Sequence, residues 1–353
     1  MLDLLALNSL ELSSIKLARL LARYGSARDV LDSACGGDVD DGTIAGARRN
    51  AAAELRLAEK EGIRILTRGD DSYPAPLREA FDAPPVLYCL GSLDRIPAVS
   101  IVGSRKADAY GLTTAEQFGH GLAEKGILVV SGLAYGIDAA AHRGALSAKG
   151  ATVAVLGSGL LNIYPAENRR LAQRIVAERG ALLSEFPLRE KPHQKNFPRR
   201  NRIIAGLSLG TVVIQATVKS GSLITAKLAA EYGRNVWAVP NRIGDRLSEG
   251  TLALLRDGAT IAASAEHIME DLSPQLVNSF FNPVTGIKPE TGKPVVTVSD
   301  IVLESLRPSG ATLDELEERC GLPREELLRR ILKLELAGRL TYHPGGAYRL
   351  AGS

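Results

Sequence analysis

From about residue 63 onward, short uninterrupted apolar runs alternate with longer stretches in which apolar positions recur at helical spacing. The runs are 99–102, 127–130, 152–156, 181–183, 211–214, 236–239 and 260–262. The helical patterns between them cover about 110–125, 136–149, 166–179, 198–208, 223–233 and 248–257. A strand that is apolar on both faces leaves no side for water, so this succession predicts a parallel sheet sandwiched by helices. Right-handed crossovers then give an α/β fold, an extended Rossmann-like, doubly wound, mostly parallel sheet over residues 63–272.

The flanks have other textures. In residues 1–62, Leu4, Leu5 and Leu7, then Leu10, Leu12, Ile15, Leu17, Leu20 and Leu21, and an Ala-rich pattern from Ile44 to Lys60 predict a module of short helices, interrupted at Tyr24-Gly25-Ser26. Residues 273–296, punctuated by Pro274, Pro283, Gly286, Pro289, Gly292 and Pro294, read as a linker. Residues 297–353 predict helices over Val298–Leu306, Thr312–Cys320 and Arg324–Ala337, with two short strands around His343-Pro344-Gly345-Gly346. Thr312 and Glu315 have capping-box spacing, and Pro323 suits a first helical turn. Helix–turn–helix followed by a hairpin is the pattern of a winged helix.

Composition narrows the class. The chain has 353 residues, 45% of them hydrophobic, enough for a sizeable core in two or three domains. No apolar run reaches the ~18 residues of a membrane span, and the early Asp3 with no basic segment before it does not make a secretory signal. Cys35, Cys89 and Cys320 are far apart with no CxxC spacing, which argues against a zinc ribbon, an iron–sulfur cluster or a disulfide scaffold and fits a cytoplasmic protein. Lys and Arg number 43 against 40 Asp and Glu, so any polyanion site must concentrate its cations locally.

Ligands of open α/β sheets sit at the carboxyl ends of the strands. Those ends here carry Gly103-Ser104-Arg105-Lys106, Ser131-Gly132 with Gly136-Ile137-Asp138 beyond, Gly157-Ser158-Gly159 with Tyr164-Pro165 beyond, and Lys219-Ser220-Gly221-Ser222 with Thr225 one turn into a helix. Glycine lets backbone approach a ligand closely, and helix N-termini aim free N–H groups at anions. Any one of these turns is ordinary turn chemistry; four on one sheet edge predict a phosphate-binding surface. There is no GxxxxGK[ST], HExxH or GxSxG sequence, so neither P-loop hydrolysis, a zincin nor an α/β-hydrolase nucleophile is indicated, and no cofactor or metal is expected.

The segment 189–202 holds Arg189, Lys191, Lys195, Arg199, Arg200 and Arg202 against the single acid Glu190, with Phe197 inside it. Cations neutralise phosphates and an aromatic ring stacks on any base. The bland alternative is a solvated basic loop with Phe197 in the core, and Arg202 has a structural option at the sheet edge. Asp138 and His142, at i and i+4, are expected to hydrogen-bond to each other and anchor a helix, with a metal or general-base role as the alternative. Glu185 is expected to pair with an Arg of the 199–202 group rather than to bind a ribose hydroxyl.

At this point the sequence resembles the DprA/Smf family of DNA-processing proteins of bacterial natural transformation. The resemblance covers about 65–270 and rests on Ile101-Val102-Gly103-Ser104-Arg105, on Ser131-Gly132-Leu133-Ala134-Tyr135-Gly136-Ile137-Asp138 with His142, and on Tyr164-Pro165 and Ser184-Glu185. It continues through Phe197-Pro198-Arg199-Arg200-Asn201-Arg202-Ile203-Ile204-Ala205-Gly206-Leu207-Ser208 and Ser220-Gly221-Ser222-Leu223-Ile224-Thr225-Ala226. The flanking modules look like the family's SAM-like and winged-helix domains. The resemblance implies a core that binds single-stranded DNA and forms a homodimer, a RecA recombinase partner loaded onto that DNA, displacement or bypass of single-strand-binding protein, and no catalytic turnover. Family DNA contacts carry over to Gly103, Ser104 and Arg105 and to Lys195, Phe197 and Arg199. Gln215-Ala216 departs from the family's usual Glu-Ala, and Pro240-Asn241 from its Pro-Gly.

The resulting expectation is backbone recognition of single-stranded DNA by Gly103, Ser104, Arg105, Gly132, Lys195, Phe197, Arg199, Arg200, Asn201, Arg202, Ser220, Gly221, Ser222 and Thr225. Two rivals belong to other classes. One is a nucleotide-binding Rossmann-like enzyme such as an N-glycosidic hydrolase using Glu185 or Asp138, for which the long basic segment is excessive. The other is a scaffold that binds proteins alone.

Overall fold

The computed structural model describes residues 1–10, 12–37, 39–93 and 96–272, and in the C-terminal part 302, 305–306, 311–320, 327, 330–331, 334, 340–343 and 347–350. Two compact units emerge, Met1–Pro283 and Val284–Ser353.

The first unit begins with α1 (Leu2–Asn8), α2 (Ser14–Tyr24), α3 (Ala27–Asp32), α4 (Ala34–Gly37) and α5 (Asp41–Lys60). Ser13, Ser26 and Asp40 cap α2, α3 and α5, each side chain accepting from the N–H three residues on. The expected break after Tyr24 is made by Gly25, whose φ of 81° closes α2.

Nine strands follow: β1 (Arg64–Thr67), β2 (Val86–Gly91), β3 (Ala98–Val102), β4 (Leu128–Ser131), β5 (Thr152–Val155), β6 (Ala181–Ser184), β7 (Gly210–Val213), β8 (Asn235–Ala238) and β9 (Thr260–Ile261). The helices among them are α6 (Ala75–Arg78), α7 (Ala109–Glu124), α8 (Ile137–Ser147), α9 (Arg169–Ala177), α10 (Asn196–Leu207), α11 (Gly221–Glu231) and α12 (Glu249–Arg256), with α13 over 265–272 after the last strand. The sheet order is β1-β2-β6-β5-β4-β3-β7-β8-β9. Strands β3 to β9 pair in parallel, as the apolar runs predicted. β1 and β2, which the pattern did not single out, add an antiparallel edge.

Successive residues of a strand point to opposite faces, so each central strand feeds two cores. Val99 and Ile101 pack with Phe118 and Leu122 of α7 and Ala141 of α8. Ala98 and Val102 pack with Leu77 of α6 and Ile203 and Leu207 of α10. Burying each such Leu, Ile or Val stabilises by about 1.5–3 kcal/mol. Among the described residues no separate core marks the boundary expected after residue 62. Leu7, Leu17, Val30, Ile44 and Ala51 of the N-terminal helices share one apolar cluster with Tyr88, Leu156, Leu182 and Leu188.

The chain lays down β3 to β6 in one direction, then returns to the other side of β3 for β7 to β9. That reversal opens a crevice between the carboxyl ends of β3 and β7, where ligands of such sheets bind.

In the second unit, β10 (Ala311–Thr312), α14 (Leu313–Cys320), β11 (Leu340–His343) and β12 (Ala347–Leu350) form a three-stranded sheet, ordered β10-β12-β11, with a helix. The capping box forms as expected, Thr312 N–H donating to Glu315 Oε2 at 3.0 Å and Glu315 N–H to Thr312 Oγ1 at 3.3 Å. Leu327, Ile331 and Leu334, on the third expected helix, are buried with Leu316 and Leu340. The linker 273–296, most of the helix over 298–306, Pro323 and the hairpin turn 344–346 lie outside the described residues.

Candidate nucleic-acid interface

At the reversal the two strand ends are tied together, Ser104 N–H donating to the Gln215 carbonyl at 2.7 Å. The Ser104 hydroxyl accepts from Lys106 N–H at 3.1 Å, closing a tight turn that leaves Arg105 and Lys106 exposed. Gly103 is required by close packing, because a Cβ there would stand 2.6 Å from Ile137. The turn after β4 is fixed by Asp138, which accepts from Gly132 N–H at 3.1 Å and Ala134 N–H at 3.4 Å. Gly136, at φ 72°, opens α8 against the Ser104 and Arg105 backbone.

These turns, the start of α10 and the loop before α12 enclose a groove of about 830 Å³, the size of a ligand site rather than a packing void. Arg105, Lys106, Tyr164 and Phe197 line it from one set of turns. Thr217, Ser220, Gly221, Ser222 and Arg246 line it from the β7 side. The buried side chains of Asp138, Arg200, Asn201 and Thr225 lie beneath. The Arg105 guanidinium sits 5.0 Å from the centre of the half-buried Phe197 ring, within cation–π range. The Tyr164 ring lies 5.7 Å from the same ring. Gly157 forms its floor, since a Cβ there would come 2.7 Å from Phe197 Cδ1. Among the described residues, Arg105, Lys106, Lys219 and Arg246 have no carboxylate within ion-pair distance. The Ser220 hydroxyl caps α11 by accepting from Ser222 N–H, and Asn201 Nδ2 donates to the Gly221 carbonyl at 3.2 Å, joining α10 to the start of α11.

The expected run of cations over 189–202 is corrected by how α10 packs. Arg200 is 3% exposed; its guanidinium donates to the carbonyls of Gly132, at 2.8 Å, and Val155, so it braces the ends of β4 and β5. Burial lowers its pKa to about 10 and raises that of the facing Asp138 carboxyl, while the opposite charges partly offset both shifts. Arg202 is 4% exposed and does not reach the groove; it pairs with Glu185 at 2.5 Å and donates to the Asp82 carbonyl. Arg199 meets the same Glu185 oxygen at 2.8 Å and lies over Phe186. One helical turn separates residues 199 and 202, which puts both on the face toward Glu185. Arg189, Lys191 and Lys195 stay exposed, Lys195 at the N-cap of α10.

Glu185 therefore takes the pairing expected of it. Asp138 and His142 do not bond to each other as expected. The Thr152 hydroxyl donates to the Val129 carbonyl and so accepts from His142 Nδ1–H at 2.7 Å. His142 Nε2 is buried without a partner, and burial lowers the imidazole pKa to about 3, so the ring is neutral. The two departures from the family pattern each hold a turn. Gln215 Nε2 donates to Asp108 Oδ1 at 2.9 Å, where a carboxylate would face a carboxylate. Asn241 Nδ2 donates to the Ile214 and Val239 carbonyls at 2.8 and 3.0 Å.

Sequence reasoning missed Gln194, Thr217 and Arg246 in the groove; it placed Lys106 and Gly157 in the strand-end turns but not among the contact residues, nor Gly157 beneath the Phe197 ring. Arg246 arrives because β8 neighbours β7, and strand order is not written in any local pattern. Among the described residues no helix is long and apolar enough to cross a membrane, and no cluster of His, Cys, Asp and Glu is placed to hold a metal ion.

The family model for DNA recombination-mediator protein A matches residues 64–273, and the DprA winged helix domain matches 288–346. Protein Smf of Escherichia coli K12 is 38% identical over 312 residues, 86% of this chain and 82% of that protein. DNA processing protein DprA of Streptococcus pneumoniae is 44% identical over 204 residues, 57% of this chain and 72% of its own. A crystal structure of the Streptococcus pneumoniae protein superposes with a TM-score of 0.66 at 36% identity, covering 75% of this chain and 95% of that one. A Helicobacter pylori DNA processing protein A structure, described for its single-stranded DNA binding mode, gives a TM-score of 0.54 at 30% identity over 60% of this chain and 96% of that one. With the reversal-point groove and both matched domains in place, the chain belongs to the DNA recombination-mediator protein A family, the DprA/Smf proteins.

Proposed function

We propose that this chain binds single-stranded DNA along the β3–β7 groove without reading its sequence. The observation that carries the reading is the Arg105 guanidinium held over the Phe197 ring, 5.0 Å from its centre, in a groove whose exposed cations Arg105, Lys106 and Arg246 have no carboxylate within ion-pair distance among the described residues. Arg105, Lys106 and Arg246 neutralise phosphates, and Gly103, Ser104, Ser220, Gly221 and Ser222 let the sugar–phosphate backbone come close. Phe197 and Tyr164 offer faces on which successive bases stack. Lys195 extends the charge along the rim. Gly132, Arg200, Asn201 and Thr225 shape the floor, whereas Arg199 and Arg202 hold α10 in place.

In this role the protein protects incoming DNA in the cytoplasm and hands it to RecA recombinase, displacing or bypassing single-strand-binding protein, with a second copy of the chain doubling the contacts on one strand. The enzymatic rival has little support, because Glu185 is neutralised by Arg199 and Arg202 and Asp138 is held by two backbone N–H groups. The test is a shift assay on oligo-dT and on duplex DNA at rising salt, with recombinase loading scored alongside. A salt-sensitive preference for the single strand supports the proposal. Equal affinity for both, or base release from nucleoside monophosphates with no DNA binding, overturns it.

A further inference from the structure

The N-terminal helices have so far no part in the proposed function, yet they touch the segment that leads into the basic loop. Asn8, the last residue of α1 and 6% exposed, donates from Nδ2 to the Glu185 carbonyl at 2.8 Å. Glu54 of α5 accepts the Leu188 backbone N–H at 2.7 Å. Leu188 lies past the end of β6, where no strand pairs its N–H, and a buried backbone donor needs an acceptor. Its side chain is fully buried in the apolar cluster that the N-terminal helices build.

The next residues are held from the other side. The Leu188 carbonyl accepts from Leu161 N–H at 3.0 Å, and the Glu190 carbonyl from Gly159 N–H at 2.9 Å. Asn162 Nδ2 donates to the Arg189 carbonyl at 2.7 Å. Between the Asn8 and Glu54 tethers, the Glu185 carboxylate grips Arg199 and Arg202 of α10, the helix that carries Phe197 on its first turn.

We infer that the N-terminal helices position the DNA-binding face: through Asn8 and Glu54 they fix residues 185–188, and through them the exposed cations Arg189, Lys191 and Lys195 and the α10 turn bearing Phe197. Asn8 and Glu54 are positioning residues, distant from DNA. The inference rests on the single-stranded DNA reading for its consequence, but not for the tether itself.

The experiment uses the full chain and pairs hydrogen exchange over 186–195 with oligo-dT titration. Glu54→Ala removes the acceptor; Glu54→Gln keeps an Oε1 that accepts the same N–H. Glu54→Ala is expected to speed exchange at 186–195 and weaken oligo-dT binding several-fold, with Glu54→Gln restoring both. Asn8→Ala, which frees the Glu185 carbonyl, serves as a second variant with the same expected direction. Wild-type exchange and affinity in Glu54→Ala, faster exchange with unchanged affinity, or a Glu54→Gln variant that behaves as Glu54→Ala would each overturn the inference. Arg105→Ala is the control: if it binds oligo-dT as tightly as wild type, the groove reading fails, and the exchange result by itself still decides whether the tether exists.

Discussion

Basic side chains do different things here, and burial decides which. Arg202, 5% exposed at the side chain, shares the fully buried Glu185 with Arg199, so its loss leaves that carboxylate to Arg199 alone. Arg202→Ala is expected to lower the unfolding free energy by about 1.5–3 kcal/mol in urea denaturation, the range of a hydrogen bond to a charged group. Arg246, exposed with no acidic partner among the described residues, belongs to the groove. Arg246→Ala should leave stability alone, weaken every single-stranded sequence alike and reduce the log–log salt slope by about 0.7, the share of one phosphate contact. His142 makes a third case. Its folded pKa of about 3 lies below the ordinary 6.5, so as pH falls through that window the unfolded chain takes up a proton that the folded chain refuses. Stability is expected to drop by up to about 1.4 kcal/mol per pH unit between these values through this one ring. Urea titrations at pH 7 and pH 5 check it: His142→Asn, which keeps a donor toward Thr152 and does not titrate, should flatten the dependence.

At the scale of elements, the turns matter more than the strands and helices they join. Gly157 ends the β5 run, and the Phe197 ring occupies the space a side chain would take. Gly157→Ala is expected to push the ring off its seat and weaken oligo-dT binding by up to the ~1–3 kcal/mol of one stacked base, without altering any residue that touches DNA. A titration beside Phe197→Ala reads this directly, since the two losses should not add. The strands β3 to β8 and helices α7 to α12 were legible because each buries an unbroken apolar run or a helical stripe, and β9 because its run ends on the buried Ala262. β1 escaped notice because it is only partly buried and paired antiparallel at the sheet edge. The glycine-rich turns were legible as well, but the fates of Arg199, Arg200 and Arg202 were not: a run of cations reads alike whether it faces water or a buried carboxylate. Thr152 likewise took His142 from Asp138 because β5 lies beside α8 only once the sheet is assembled.

Across the whole molecule, strand order does what no segment does alone. Placing β7 beside β3 brings Ser220 and Arg246 to the turn that bears Arg105, while α10 crosses the rim to deliver Phe197. The groove's positive lining arises in a chain whose net charge is only +3, so the attraction to polyanions is local and its range is set by screening. The most direct test of this account is a double-mutant cycle on oligo-dT binding with Arg105→Ala, Phe197→Ala and both together. The account predicts that Arg105→Ala weakens binding by about 1.5–3 kcal/mol, roughly 10- to 150-fold, and that the double variant loses less than the two single losses combined, because the groups touch. Wild-type affinity in both single variants would contradict it.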